Sequence, residues 1–130
     1  MPNFSPDWLR QHEAKQRGRH PVQIKQSKAV EKESVLQDDI EAFCRRQGWI
    51  CLRNPMHLPT HRMPGEPDLD IIATNGVRIW IECKAKGGKL SAEQLGFHAW
   101  AQKLGHQVEV VTSLEQFHGI MLDLTKEVWE

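Results

Sequence analysis

The sequence has no apolar run near the roughly 20 residues that a membrane-spanning helix needs. Its first residues also lack the apolar core of a secretory signal. There are only three cysteines, Cys44, Cys51 and Cys83. An odd number in no disulfide-framework spacing predicts reduced thiols and a cytoplasmic location. Internal repeats and low-complexity tracts are absent, which removes solenoids and long disordered linkers from consideration. Nothing resembles a recognition helix or a zinc finger, so no module for reading base sequence is evident. Net charge is missing too: 17 Lys and Arg balance 17 Asp and Glu.

What remains is a chain of 130 residues, 39% hydrophobic and 26% charged. That is enough to bury one core without disulfides. The charge balance conceals an asymmetry. Residues 1–30 hold six Lys/Arg against two Asp/Glu, a net of +4, and the rest of the chain carries −4. The pattern predicts a basic, partly flexible leader over 1–29, suited to an anionic partner, ahead of a domain over 30–130.

Within the domain, "EKESVLQDDIEAFCRRQGW" reads as a helix with Leu36, Ile40 and Phe43 as its apolar stripe, widened by Val35 and Ala42 and ended by Gly48. "WICLRN" reads as a short strand, followed by a proline-broken loop from Pro55 to Gly65. "SAEQLGFHAWAQKLG" reads as a second helix, opened by a capping box of Ser91 and Gln94. "QVEVVT" is a strand covered on both faces, and "SLEQF" opens a last helix with a similar box, Ser113 and Gln116. With the hairpin described next, the order is α-β-β-β-α-β-α, an α/β sandwich around a mixed sheet.

The hairpin is "PDLDIIATNGVRIWIECKAK", which places Asp68, Asp70, Glu82 and Lys84 among apolar residues. Charges are seldom buried unless paired or holding a metal. A two-residue Asn75-Gly76 turn would pair Asp68 with Cys83 and mix charges into the apolar face. A three-residue loop, Thr74-Asn75-Gly76 with Gly76 left-handed, pairs Ala73 with Val77 and Asp68 with Glu82. One face is then Leu69, Ile71, Ala73, Val77, Ile79, Ile81 and Cys83, and the other carries Asp68, Asp70, Ile72, Arg78, Trp80, Glu82 and Lys84. Asp68, Glu82 and Lys84 thus gather at one end, as an ion-pair cluster or as a site. Asp70 reads as a solvated carboxylate or one that supports its neighbours.

Taken together, "GEPDLDII", "IECKAKGGKLSAEQLGFHAWAQKLGHQVEVV" and the upstream "EKESVLQDDIEAFCRRQGW" resemble the PD-(D/E)XK nuclease superfamily, and within it the small virus-type replication-repair nuclease (VRR-NUC) group, over about residues 31–117. The resemblance implies a restriction-endonuclease-like sandwich that hydrolyses DNA phosphodiesters with Mg²⁺ or Mn²⁺. Asp68 and Glu82 would hold the metal, with the backbone carbonyl of Cys83 as a further ligand. Lys84 would orient or polarise the attacking water, or act as a base. Glu33 corresponds to the helical glutamate that serves a second metal or a metal-bound water, with Glu31 its nearest competitor. Gln94 corresponds to the glutamine that follows the lysine. One or two metals are both compatible with the superfamily.

Arg53, Lys86, Lys89, His61 and Arg62 are candidates for DNA contacts, and His57 lies in the same loop. Trp80 and Trp100 could stack on bases or pack internally. A zinc site from Cys44, Cys51, His57 and His61 has the right donors but no standard spacing. The resemblance further implies a homodimeric resolvase of four-way Holliday junctions. The alternatives are a flap-cutting or non-specific nuclease, an inactive DNA-binding module, and a structural protein with a surface ion-pair cluster.

Overall fold

The computed structural model describes residues 23–54 and 63–127. Helix α1 (Gln23–Gln47) leads into strand β1 (Ile50–Arg53). Strands β2 (Leu69–Ile72) and β3 (Arg78–Cys83) form the hairpin. Helix α2 (Ala92–Lys103), strand β4 (Val108–Val111) and helix α3 (Leu114–Thr125) complete the chain. The sheet runs β1-β2-β3-β4, antiparallel except for the parallel β3–β4 pair at one edge. It is the mixed α/β sandwich that the sequence predicts. Among the described residues no helix is long and apolar enough to cross a membrane.

The hairpin register is the slipped one. Leu69 faces Ile81 and Ile71 faces Ile79, and carried one residue past the ladder's end this register sets Asp68 opposite Glu82. The loop closes through Ala73 N–H to the Val77 carbonyl at 2.8 Å. Asn75 as well as Gly76 is left-handed (φ 61° and 73°), a conformation both residue types tolerate. Energetics explain the choice. Leu69, Ile71, Ile79 and Ile81 are all at most 1% exposed. At roughly 1.5–3 kcal/mol for each buried side chain, losing that face outweighs any preference for a two-residue turn.

α1 and α3 cover this face. Ile40, Phe43, Phe117 and Met121 pack on the hairpin, with Phe43 meeting Trp49 and Phe117 edge-on at 5.6 and 5.9 Å. The Trp49 indole donates to Thr74 Oγ1 (2.8 Å) and Asn75 Nδ2 donates to the Thr125 carbonyl (2.7 Å), which fixes the hairpin tip. Two expectations need correction. Val35 does not widen the buried stripe of α1, because it is 53% exposed on the helix's other side. The second capping box is offset: Gln116 N–H does bond Ser113 Oγ, but Gln116 Oε1 accepts from Thr112 N–H.

Among the described residues, α2 covers the opposite face of the sheet over β3 and β4. Trp80 packs edge-on against Phe97 at 5.2 Å, so it serves the α2–sheet contact. Ile50 and Leu52 on edge strand β1 remain about half exposed. α1 starts at Gln23, upstream of the expected start near Glu31. This earlier start puts Glu33 in the body of the helix instead of its first turn.

Candidate active site

Three elements converge at the end of β3. The ladder sets Asp68 beside Glu82, on the face away from the core. Asp68 Oδ2 accepts from the Cys83 N–H at 2.8 Å, so the carboxylate is held by the neighbouring strand's backbone. Glu82 is 1% exposed. Its Oε1 accepts from Gln94 Nε2 at 2.9 Å, and Lys84 Nζ lies 3.8 Å from the same oxygen. Its Oε2 is buried without a hydrogen-bond partner among the described residues. From α1, Glu33 Oε1 accepts from the Ala85 N–H at 3.2 Å.

Gln94 shows why the helix start matters. The capping box is complete, with Ser91 N–H donating to Gln94 Oε1 (2.9 Å) and Gln94 N–H to Ser91 Oγ (3.2 Å). The amide oxygen caps the helix while the amide nitrogen is left to grip Glu82. One residue carries both tasks. Gly65 lets this helix start come close to "GEPD". Its φ is +85°, and a Cβ there would lie 2.2 Å from the Glu93 carbonyl oxygen, closer than any real contact.

The electrostatics are those of crowded negative charge. Burial, then the facing Asp68 carboxylate, pushes the Glu82 pKa up to about 9. Burial raises Asp68 as well, against the Cys83 N–H, which favours the charged form. Two facing carboxylates have only acceptor oxygens unless a proton lies between them. In neutral solution the pair therefore needs a proton or a cation. That need, with an orphaned buried oxygen, is the observation against which a metal can be tested, and the donor set fits. Hard divalent cations take carboxylate and carbonyl oxygens and keep several waters. Among the described residues no group of three or more His, Cys, Asp or Glu side chains could hold a metal, so the fit is to an ion bound through one or two carboxylates. Burial holds the Cys83 thiol well above its usual range, inside the core where the pattern put it.

No family model matches the chain. A protein of Acyrthosiphon pisum secondary endosymbiont phage 1, named "Putative nuclease p44", is 47% identical over 49 residues, 38% of this chain. The match covers 53% of that protein, so the chain spans about half of its length. A solved structure described as a VRR-NUC domain is similar with a TM-score of 0.58 at 26% identity, over 69% of this chain and 94% of the other. Both likenesses support a VRR-NUC nuclease domain.

Glu33, Asp68, Glu82, Lys84 and Gln94 come together from α1, the two strands of the β2–β3 hairpin and the start of α2. The outlying candidates are placed differently. Lys86 and Lys89 are exposed on the turn after Lys84, which is closed by Gly88 N–H to the Ala85 carbonyl (2.8 Å). Arg53 lies between Gln37, Asp38 and Glu41 of α1, so a phosphate would have to compete with those partners. His61, Arg62 and His57 lie outside the described residues, and with them half of the zinc alternative. Asp70 is not solvated. It is 7% exposed and bidentate with Arg78 (3.1 and 2.7 Å). Sequence reasoning missed the spacing role of Gly65. It also missed His98, a buried histidine four residues after Gln94, and that i, i+4 spacing was the available signal.

Proposed function

We propose that this domain is a divalent-metal-dependent DNA endonuclease that acts as a homodimer on branched DNA, with the four-way junction its leading substrate. The observation that carries the chemistry is the buried, unpartnered Glu82 Oε2 facing Asp68, with Lys84, Gln94 and Glu33 gathered around it. A Mg²⁺ or Mn²⁺ ion held by Asp68, Glu82 and the Cys83 carbonyl would supply the positive charge that stabilises the non-bridging and leaving oxygens, with Glu33 available to a second ion or a metal-bound water.

The chain's own residues do the rest. Gln94 holds Glu82 Oε1 and so fixes the direction in which Oε2 points. The Cys83 N–H does the same for Asp68. Lys84, only 15% exposed along its side chain, is positioned to orient the attacking water and offset charge on the phosphate. Lys86 and Lys89 extend the positive surface along the turn, where they would meet the backbone phosphates. The junction preference and the dimer rest on the VRR-NUC likeness, and on the symmetry of a substrate that needs two matched incisions.

The test incubates the chain with Mg²⁺ or Mn²⁺ and labelled four-way junction, flap, linear duplex and single-stranded DNA, beside Glu82→Ala. Paired symmetric nicks confined to the junction and absent from the variant are expected. Cutting spread over all substrates keeps the nuclease and discards the resolvase. Tight binding without cutting makes the domain a DNA-binding module, and neither cutting nor binding leaves a plain ion-pair cluster.

A further inference from the structure

His98 has no task in the chemistry above, yet it lies against the same site. It follows Gln94 by one turn on the side of α2 that faces β3. It is 7% exposed, and the charged groups that act on its imidazole are Lys84 and Asp68. Its Nε2 has no hydrogen-bond partner among the described residues. An unmet polar atom in such a place is costly. If packing were its only role, leucine would serve better.

Lys84 has the complementary shortage. An ammonium carries three donors and no acceptor. Its ion pair with Glu82 Oε1 is 3.8 Å long, beyond hydrogen-bond reach, and that oxygen is already occupied by Gln94. Lys84, just past the end of β3, and the buried, unpartnered ring nitrogen of His98 on α2 thus both border the Asp68–Glu82 site.

We propose that His98 is a positioning residue whose Nε2 accepts a hydrogen bond relayed from the Lys84 ammonium through one water, and so fixes where Lys84 presents its remaining protons. The proposal rests on the nuclease reading for its consequence in catalysis, though not for the contact itself. A neutral acceptor suits the task. It directs the ammonium without adding a further negative charge beside Asp68 and Glu82, and it leaves the carboxylate oxygens to a hard cation.

The test compares full-length wild type, His98→Leu and His98→Gln. Leucine keeps the packing without a polar atom, and the glutamine side chain can bring an oxygen near the place of Nε2. His98→Leu is expected to slow single-turnover cleavage of the junction roughly 10–100-fold, the usual effect of removing a partner that orients a site residue. Its junction affinity in Ca²⁺ and its melting temperature should not fall, and His98→Gln should restore most of the rate. A readout independent of cleavage is the long-range ¹H–¹⁵N spectrum of the imidazoles. Lys84→Met should move the His98 Nε2 resonance, and Lys103→Met on the exposed end of α2 should not. Wild-type cutting by His98→Leu, or an Nε2 resonance indifferent to Lys84→Met, overturns the proposal. So does equal loss of rate in both His98 variants together with weaker junction binding, which would mark a packing role. A wild-type chain that cuts no DNA defeats the nuclease reading instead, and the spectrum still decides whether His98 holds Lys84.

Discussion

Asp68 and Asp70 leave the hairpin on the same face, two residues apart, and meet opposite company. Asp70 faces outward along the strands to Arg78, whose guanidinium takes both of its oxygens. Asp68, itself only partly buried, faces Glu82, a second carboxylate that is 1% exposed. The first pair satisfies itself. The second is left with an orphaned oxygen and a raised pKa. Neutralised charge at one end and concentrated charge at the other is how a structural ion pair differs from a site. The sequence pattern D-x-D cannot tell the two apart, because the difference lies in what stands across the sheet.

The sharpest way to break this comparison is to neutralise each aspartate in turn. Asp68→Asn should remove cleavage, by at least about 100-fold, since it takes a charged ligand from the reacting centre. Asp70→Asn should leave the rate close to wild type. Equal losses in quantitative cleavage assays would show that the two carboxylates form one unit. A smaller effect concerns pH. The folded Glu82 holds a proton up to about pH 9, whereas in the unfolded chain it releases it near its ordinary 4.5. Between those values the native state binds more protons, so raising pH destabilises the metal-free protein. The depressed pKa values of His98 and His118 act the other way near their ordinary 6.5. The effect is therefore read between pH 7 and 9, as the difference between wild type and Glu82→Gln. Melting temperatures of the wild type should fall more steeply across that range, and added Mg²⁺ should flatten the slope.

Smaller again is the loss from Arg78→Gln, which leaves the buried Asp70 carboxylate without its bidentate partner. A cost of about 1–3 kcal/mol in denaturant unfolding is expected, with cleavage per folded molecule unchanged. The mildest change is Lys86→Ala. Junction binding should weaken modestly, and the slope of log affinity against log salt should fall by about one phosphate contact. An unchanged slope would remove Lys86 from the DNA path.

Much of this was legible beforehand. Period-two alternation in 68–84 identified the apolar face and chose the register, and from the register followed Asp68 beside Glu82. Ser91 and Gln94 announced α2 because capping is local chemistry. Where reading failed, the deciding partner was remote in sequence. Asp70 looked solvated because Arg78 meets it only after the hairpin closes. Glu33, expected near the start of its helix, lies in the body of α1 because that helix begins at Gln23. Val35 sat at a plausible stripe position but faces away from the sheet.

By itself, then, the sequence determined the order of elements, the hairpin register and the identity of the charges at its end. These depend on periodicity and turn chemistry within a few residues, where burial of four large apolar side chains dominates. Only the tertiary structure decided which of those charges are satisfied. It laid Gln94 and His98 of α2 beside Glu82 and Lys84, brought Glu33 from α1 to Ala85, and buried Glu82 between them. A carboxylate's pKa and its need for a cation are set by the dielectric and the partners around it. Those come from segments far apart in the chain, and exist only once the helices have packed on the sheet.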